Sequence, residues 1–430
     1  MTNEASSTVV TEVACPFCGL ACDDLSVDTA GEALAVVGGG CAKAQAGFAR
    51  LGVSHDGASA RVGGQPASLE VACAEVARRV KASAQPVFAG MALDVSGMRE
   101  VMELADAAGG VVDHLYSEIG WRSTRVVQDV GYVTTTLAEV KNRADLIVLV
   151  GTDVVSKASR FFERYVWNDE AMFEPAPAAR RIVYLGGGLN TAAGQSPDGR
   201  APEVFDFDRA RMPEALSTLN ALLAKQPVSE AAPLGIELAR WQALADALRA
   251  AKYSVLVWIA GDFEPSQVDL NINAIMSAVR TLNVSTRSNG LGLGGADGEL
   301  NASMVHAWQT GYPMRTSFAS GIPLYDPVHN GTARLVEQGE TDTVVWISAL
   351  NDKTPPPPEA KVVIAPPTLK LEHEPEVFIP VSTPGVHHVG HFFRGDKGAA
   401  LPLRALRATR LPSAAKVAAA ITAQLKEVSA

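Results

Sequence analysis

Cys15, Cys18, Cys22 and Cys41 have the spacing C-x2-C-x3-C-x18-C and are four of the chain's five cysteines. Pro16 and Gly19 put turn residues between the first three, so three sulfurs can converge from one tight loop. Four thiolates are the complement of a 4Fe-4S cube or of a tetrahedral zinc site. The x3 gap and the distant fourth cysteine suit the cube better than a zinc ribbon, whose ligands normally come as two CxxC pairs. The alternative is a set of small buried residues without metal, since cysteine is among the residue types most often buried. Clustering at one end does not resemble a disulfide framework, and in a reducing compartment such a cluster more often ligates metal than forms bridges.

Three other groups bear on chemistry. His387, His388 and His391 read H-H-x-x-H after an expected strand at 377–381. On a helix His387 and His391 would share a face suited to zinc. Their context, STPGVHHVGHFFRGD, is rich in turn residues and lacks the glutamate of a metalloprotease helix, which favours a polar pocket or a subunit contact. The run NGLGLGGADGE at 289–299 either cradles phosphate through backbone N–H groups or only permits tight turns. No motif for a nucleophilic triad is recognisable.

Such residues need a scaffold, and the chain reads as an α/β protein. At 430 residues with 47% hydrophobic and 20% charged residues, two to four packed units are expected. Short apolar runs at 86–89, 144–151, 181–185, 254–260, 343–348 and 360–364 alternate with helical stretches, which suits parallel strands covered on both faces. Several runs end in glycine or a polar loop, as in VLVGTD, VYLGGGLN and VWIAGDF, and strand C-terminal ends are where ligands sit in open α/β sheets. None is a GxGxxG fingerprint. Residues 67–84 form an amphipathic helix, with Leu69, Ala72, Cys73, Val76 and Val80 at helical spacing, so Cys73 reads as core.

A boundary is expected near 62 and another near 240, after the polar 226–233 stretch. The resulting division is a Cys-bearing domain at 1–62, an αβα domain from 63–114 and 240–384, a Rossmann-like αβα domain at 115–239, and a C-terminal segment at 385–430. Pro355 to Pro358 form a stiff connector. The formal charge of -10 is spread along the chain, which argues against a grip on nucleic acid phosphates. No apolar run approaches the roughly 20 residues of a bilayer span. The N-terminus MTNEASSTVVTE lacks the basic and apolar regions of a secretory signal, so a cytoplasmic protein is expected.

Together CPFCGLACDD at 15–24, QDVGYVTTTLAEVKNRADLIVLVGTD at 128–153, WQTGYP at 308–313 and FFRGDKGAALPLRAL at 392–406 resemble the B subunit of formylmethanofuran dehydrogenase, over nearly the whole chain. The resemblance implies the body plan of molybdenum or tungsten pterin oxidoreductases such as formate dehydrogenase: a small N-terminal cluster domain and two αβα domains with mostly parallel sheets, holding a bis-pyranopterin guanine dinucleotide. Onto this sequence the pterin-facing positions map at Lys43, Gly151, Arg160, Gly292, Gly294, Arg394 and Asp396. Lys43 either lies between cluster and pterin or balances thiolate charge. In the family a loop cysteine about ten residues before the QDVGY block ligates the metal, and a following histidine assists proton transfer.

Those two positions are Ile119 and Gly120 here. Isoleucine has no lone pair for a soft metal, and glycine has no side chain to move a proton. Oxygen ligation by Glu118 or Ser117 would substitute a harder donor. A B subunit without metal fits the related bacterial formyltransferase/hydrolase complex. There a formyl group passes from tetrahydromethanopterin to a methanofuran-type carrier, and an amidohydrolase subunit releases formate. The expectation is therefore a non-catalytic scaffold that binds the hydrolase A, the C and the formyltransferase D subunits, with a possible 4Fe-4S cluster and no molybdenum or tungsten pterin. The rivals are an active dehydrogenase subunit with a noncysteine ligand and a free-standing module for a nucleotide-like ligand.

Overall fold

The computed structural model describes residues 8–173 and 176–429. The first seven residues of the expected Cys-bearing domain, and with them part of the stretch read for a secretory signal, lie outside the described residues. Among the described residues no helix is long and apolar enough to cross a membrane. The chain divides into two compact units. One takes in the chain up to Glu118, Gly295–Arg394 and the residues from Ala399 on; the other is Ile119–Gly294 with Gly395–Gly398.

The first unit is built on a nine-stranded sheet, in the order Leu324–Tyr325, Thr316–Ser317, Val111–Val112, Pro86–Ala92, Thr343–Ser348, Ala360–Ala365, Val377–Pro380, Ala60–Val62 and Gln65–Ala67. The five strands from Val111–Val112 to Val377–Pro380 run parallel, and both edges turn antiparallel. Successive side chains leave a strand on opposite faces, and this sheet has an apolar cluster on each. Phe88, Val345, Ile347, Val362, Ile364 and Ile379 belong to one cluster. Their neighbours Val87, Ala89, Val344, Trp346, Val363 and Phe378 belong to the other. That is why these strands read as unbroken apolar runs rather than alternating ones. Helices Leu69–Ala82, Val95–Ala108 and Ala414–Ser429 pack together over the first cluster. Ala72, Cys73, Val76 and Val80 are buried there as the helical spacing requires, while Leu69 is exposed. Upstream lie a three-stranded antiparallel sheet, Val9–Val13, Leu25–Asp28 and Ala35–Gly38, and the helix Ala42–Leu51.

The second unit has a five-stranded, all-parallel sheet in the order Glu203–Phe205, Arg181–Leu185, Leu146–Val150, Ser254–Trp258, Ser288–Gly292. The chain winds outward from Leu146–Val150 in one direction and then returns to build on its other side. The order therefore reverses between Leu146–Val150 and Ser254–Trp258, which opens a crevice at their C-terminal ends.

Three expected boundaries move. Residues 240–294 do not join 63–114: helix Leu238–Ala250 adds Trp241, Leu244 and Leu248 to the core of the second unit, and Ser254–Trp258 pairs directly with Leu146–Val150. The 226–233 stretch is thus a connection inside one unit. The boundary near 62 would cut the Ala60–Val62/Gln65–Ala67 hairpin, which extends the nine-stranded sheet. Within the C-terminal 385–430 segment, Gly395–Gly398 fall with the second unit and the rest with the first. The expected glycine loop at 289–299 is in its first half an edge strand, Ser288–Gly292.

Candidate functional site

The first unit's chain leaves strand Val111–Val112 through Asp113, His114 and Tyr116 into helix Ser117–Val130. Ser117 Oγ accepts the His114 backbone N–H at 2.9 Å, and His114 Nδ1 accepts the Tyr116 N–H at 3.1 Å, which locks the turn. Ile119 and Gly120 therefore sit in the first helical turn rather than in a loop. The Ile119 side chain packs against the apolar core of the second unit, and Gly120 contributes only a carbonyl, which accepts the Thr124 hydroxyl at 3.1 Å.

The two oxygen donors beside Ile119 are engaged. Glu118 Oε2 takes the Arg315 guanidinium at 3.0 Å, and Ser117 Oγ holds the turn. Arg315 is itself buried; its Nε lies 3.3 Å from Asp113 Oδ1, and its Nη1 donates to Pro327 O at 2.6 Å. The other Asp113 oxygen accepts Thr332 N–H and hydroxyl, both at 2.9 Å.

A second polar knot adjoins this one. Tyr116 donates its hydroxyl to Asp297 Oδ2 at 2.6 Å, and His114 Nε2 lies 3.3 Å from the Asp297 carbonyl oxygen. Burial lowers the His114 imidazole to about 4, so it is neutral at physiological pH. Burial also raises the Asp297 carboxyl, against the opposing pull of Tyr116, Asn351, Lys43 and Lys353. Asp297 has φ +51°, in the left-handed region. A Cβ on the adjoining Gly298 would come 2.4 Å from the Leu93 carbonyl oxygen, so only glycine fits there. The second half of the glycine run thus brings Asp297 to His114 and Tyr116. Sequence reasoning missed Asp113, His114, Tyr116, Asp297 and Arg315; the readable signal was the polar pair Asp113-His114 ending an apolar strand.

Cys15, Cys18 and Cys22 are buried, and Cys41 stands half-buried before helix Ala42–Leu51. The Cys15 N–H reaches Cys22 O at 2.8 Å and the Ala21 N–H reaches Cys18 O at 3.0 Å, closing the loop around the first three. Burial, then the other three thiols, pushes the Cys15 thiol well up; burial pushes Cys18 up to about 11, with Lys43 opposing. The four are thus near enough to act on one another. Still, among the described residues no group of three or more His, Cys, Asp or Glu side chains is arranged to hold a metal ion. The donors suit a thiolate-bound metal in type, and their placement does not display a coordination sphere. The same holds for the histidine motif: His387 and His388 lie in a turn, and His391 is exposed on strand Gly390–Phe393.

In the second unit a cleft of about 420 Å³ opens at the strand ends, lined by Gly151, Gly187, Asp206, Asp208, Arg209, Asp262, Phe263 and Glu264 among others. Gly151 lies at φ +67°, and a Cβ there would meet the Phe263 ring at 2.9 Å. Four carboxylates face one guanidinium. The strand-end N–H groups are already spent, Gly151 on Leu185 O, Gly186 on Phe205 O and Gly187 on Phe207 O, at 2.7–2.9 Å. Anion sites need free N–H groups or net positive charge, so this cleft does not fit the diphosphate of a pterin dinucleotide. Of the other residues expected at such a cavity, Arg160 is paired with Glu163 at 2.6 Å. Gly292 lies under the Trp258 ring, and Gly294 is exposed. Asp396 accepts the Leu137 N–H at 2.7 Å, and the Arg394 N–H closes onto Ala399 O at 2.9 Å. Lys43 and Arg394 belong to the first unit.

No family model matches the chain. It is 25% identical over 352 residues to the B subunit of the tungsten-containing formylmethanofuran dehydrogenase 2 of Methanocaldococcus jannaschii, covering 79% of each chain. It is 27% identical over 394 residues to the B subunit of the formyltransferase/hydrolase complex of Methylorubrum extorquens, covering 86% of this chain and 97% of that one. Among solved structures, the formyltransferase/hydrolase complex of Methylorubrum extorquens, crystallised with methylofuran, contains a chain that matches with a TM-score of 0.73 and 26% identity, over 86% of this chain and 99% of that one.

Proposed function

Taking the chain as a homologue of the B subunits of formylmethanofuran dehydrogenase and of the formyltransferase/hydrolase complex, we propose that it is the non-redox scaffold subunit of such a formyltransferase/hydrolase complex. It has two Rossmann-like αβα bodies and a Cys-bearing N-terminal domain, works in the cytoplasm, and binds the hydrolase A, C and formyltransferase D subunits. Formyl transfer and formate release belong to those partners.

The observation that carries this reading is the hydrocarbon at Ile119. A soft group 6 metal needs sulfur or selenium there, and the oxygens of Glu118 and Ser117 just before it are committed to Arg315 and to the His114 turn. The acidic strand-end cleft supports it independently. Co-expressed with its A, C and D partners, the chain is expected to co-purify as one complex, and elemental analysis should find far less than one molybdenum or tungsten per copy of this chain. Stoichiometric molybdenum or tungsten, together with viologen-linked oxidation of formylmethanofuran, would overturn it in favour of an active dehydrogenase.

Cys15, Cys18, Cys22 and Cys41 are proposed as a structural metal site. A metal there would add folding energy and, without a pterin to exchange them with, would carry no electrons. Cys18→Ser is expected to lower both the iron content and the melting temperature of the complex while formate release stays unchanged. Iron content and melting equal to wild type would count against a metal at this site.

A further inference from the structure

Residues 404–412 of the first unit form a strap whose fastenings all reach distant parts of the sequence. Arg404 donates to Thr11 O at 3.0 Å. Arg407 donates to Gly31 O at 2.6 Å and to Glu32 O. The Thr409 hydroxyl and the Arg410 N–H both reach Asp56 Oδ1, at 2.7 and 2.8 Å. The strap thus holds down the N-terminal three-stranded sheet and the 55–56 loop. It is held in turn by the turn Thr383–His388 and the residue before it: the Leu406 and Arg407 N–H groups both donate to Val386 O at 2.9 Å, and the Ser382 N–H and hydroxyl donate to Pro412 O at 2.9 and 3.1 Å.

The shape of that turn depends on an uncharged imidazole. His387 Nδ1 lies 3.2 Å from the Thr383 backbone N–H, which can only donate, so Nδ1 must carry no proton. His388 Nδ1 is 2.9 Å from the Ser382 hydroxyl. The surroundings are poor in negative charge. His387 faces His388 on its own turn, His55 and Asp56 from the 55–56 loop, and Arg407 from the strap; His388 faces Lys416 of helix Ala414–Ser429. Asp56 is the single carboxylate in this set, and it already accepts two bonds from the strap. A proton on His387 would set two N–H groups against each other and add a cation beside Arg407.

We propose that the Thr383–His388 turn is an acid-sensitive clasp: protonation of His387 opens it, frees the 404–412 strap and loosens the N-terminal sheet that carries the cysteine loop. Burial, then the neighbouring histidines and Arg407, lowers His387 to about 4. An opened clasp restores the ordinary histidine affinity for protons, so acid favours the open form.

Amide hydrogen exchange on the full chain, corrected for intrinsic pH dependence, tests this. Between pH 7.5 and pH 5.0 protection of the Leu406, Arg407 and Arg410 amides is expected to fall by about tenfold or more, and at both pH values to stay below that of the central strand Thr343–Ser348, so that the fall reports local opening and not global unfolding. His387→Asn, which keeps an acceptor near the Nδ1 position and cannot take the proton, leaves only the His388 contribution and is expected to respond several-fold less than wild type. Should that variant not fold, Asp56→Asn serves. The Asp56 charge eases protonation of the closed clasp and so narrows the gap in proton affinity between closed and open forms; its loss widens that gap and is expected to move the opening midpoint to higher pH. Equal protection of the strap at both pH values in wild type, an unaltered response in His387→Asn, or an unmoved midpoint in Asp56→Asn each overturns the clasp.

Discussion

Replacing Arg315 with methionine is expected to lower the unfolding free energy by about 3–5 kcal/mol. The guanidinium is buried between Asp113, the Glu118 carboxylate and the Pro327 carbonyl, and its removal leaves the Asp113 charge buried without its cation. The Arg315 backbone carbonyl, which the substitution keeps, is a separate anchor. Asp326 N–H and the Asn330 side chain both donate to Arg315 O, at 3.1 and 3.2 Å, so the 313–332 loop is organised around this one residue. The Glu118 arm contributes less, because its side chain is 58% exposed and an exposed pair is screened. Adding Asp113→Asn to the methionine variant removes the orphaned charge and is expected to recover part of the loss. Urea unfolding of the three proteins measures this. A loss below about 1 kcal/mol for the single variant would mean that water or a rearranged loop replaces the ion pair, and the hub would then not be what fixes the first turn of helix Ser117–Val130.

Acid is the second large effect. His114 and His306 are buried, and burial lowers each to about 4. A histidine kept neutral by the folded state contributes its full share of stability above the ordinary value near 6.5. That share is lost as pH falls from there toward 4, because the unfolded chain takes up the proton first. Each of the two accounts for roughly 3 kcal/mol over that window. His387 and His388 shift in the same direction but are less deeply buried, so their share is smaller. Asp94 and Asp297 work the other way: burial raises both, and the folded state holds their protons longer. The two carboxyls gain stability only as pH falls through their raised values, whereas the loss from the imidazoles begins near 6.5. Denaturation midpoints taken from pH 8 to pH 4.5 should be flat above 7 and fall steeply below 6. A midpoint that stays level down to pH 5 would show that these imidazoles protonate without cost.

Much of the scaffold is legible in the residues alone. Runs such as LIVLV and TVVWIS are apolar at every position, and only a strand covered on both faces has use for that. Arg181–Leu185 and Thr343–Ser348 lie where the sequence puts them. Partnership among strands is a different matter. Ser254–Trp258 is equally apolar whichever sheet it joins, so nothing in its own residues distinguishes a place beside Leu146–Val150 from a place beside Thr343–Ser348. Helix packing and the direction of the crossover make that choice, and the boundary expected near 240 was lost to it.

The site divides in the same way. That the side chains of Ile119 and Gly120 offer no donor atom to a metal or a proton is fixed by their residue types and holds in any fold. The fate of the neighbouring donors is not: Glu118 and Ser117 are capable ligands as residue types, and only the approach of Arg315, nearly two hundred positions away in the chain, takes Glu118 out of service. Likewise the glycines of the 289–299 run permit several conformations. Contact with Trp258 and with the Leu93 carbonyl assigns Gly292 to close packing in one unit and Gly298 to the placing of Asp297 in the other. Composition determines what each side chain is able to do; the tertiary structure decides which of those capacities is already spent on a neighbour, because burial makes an unpaired polar group costly and drives most of them to find a partner.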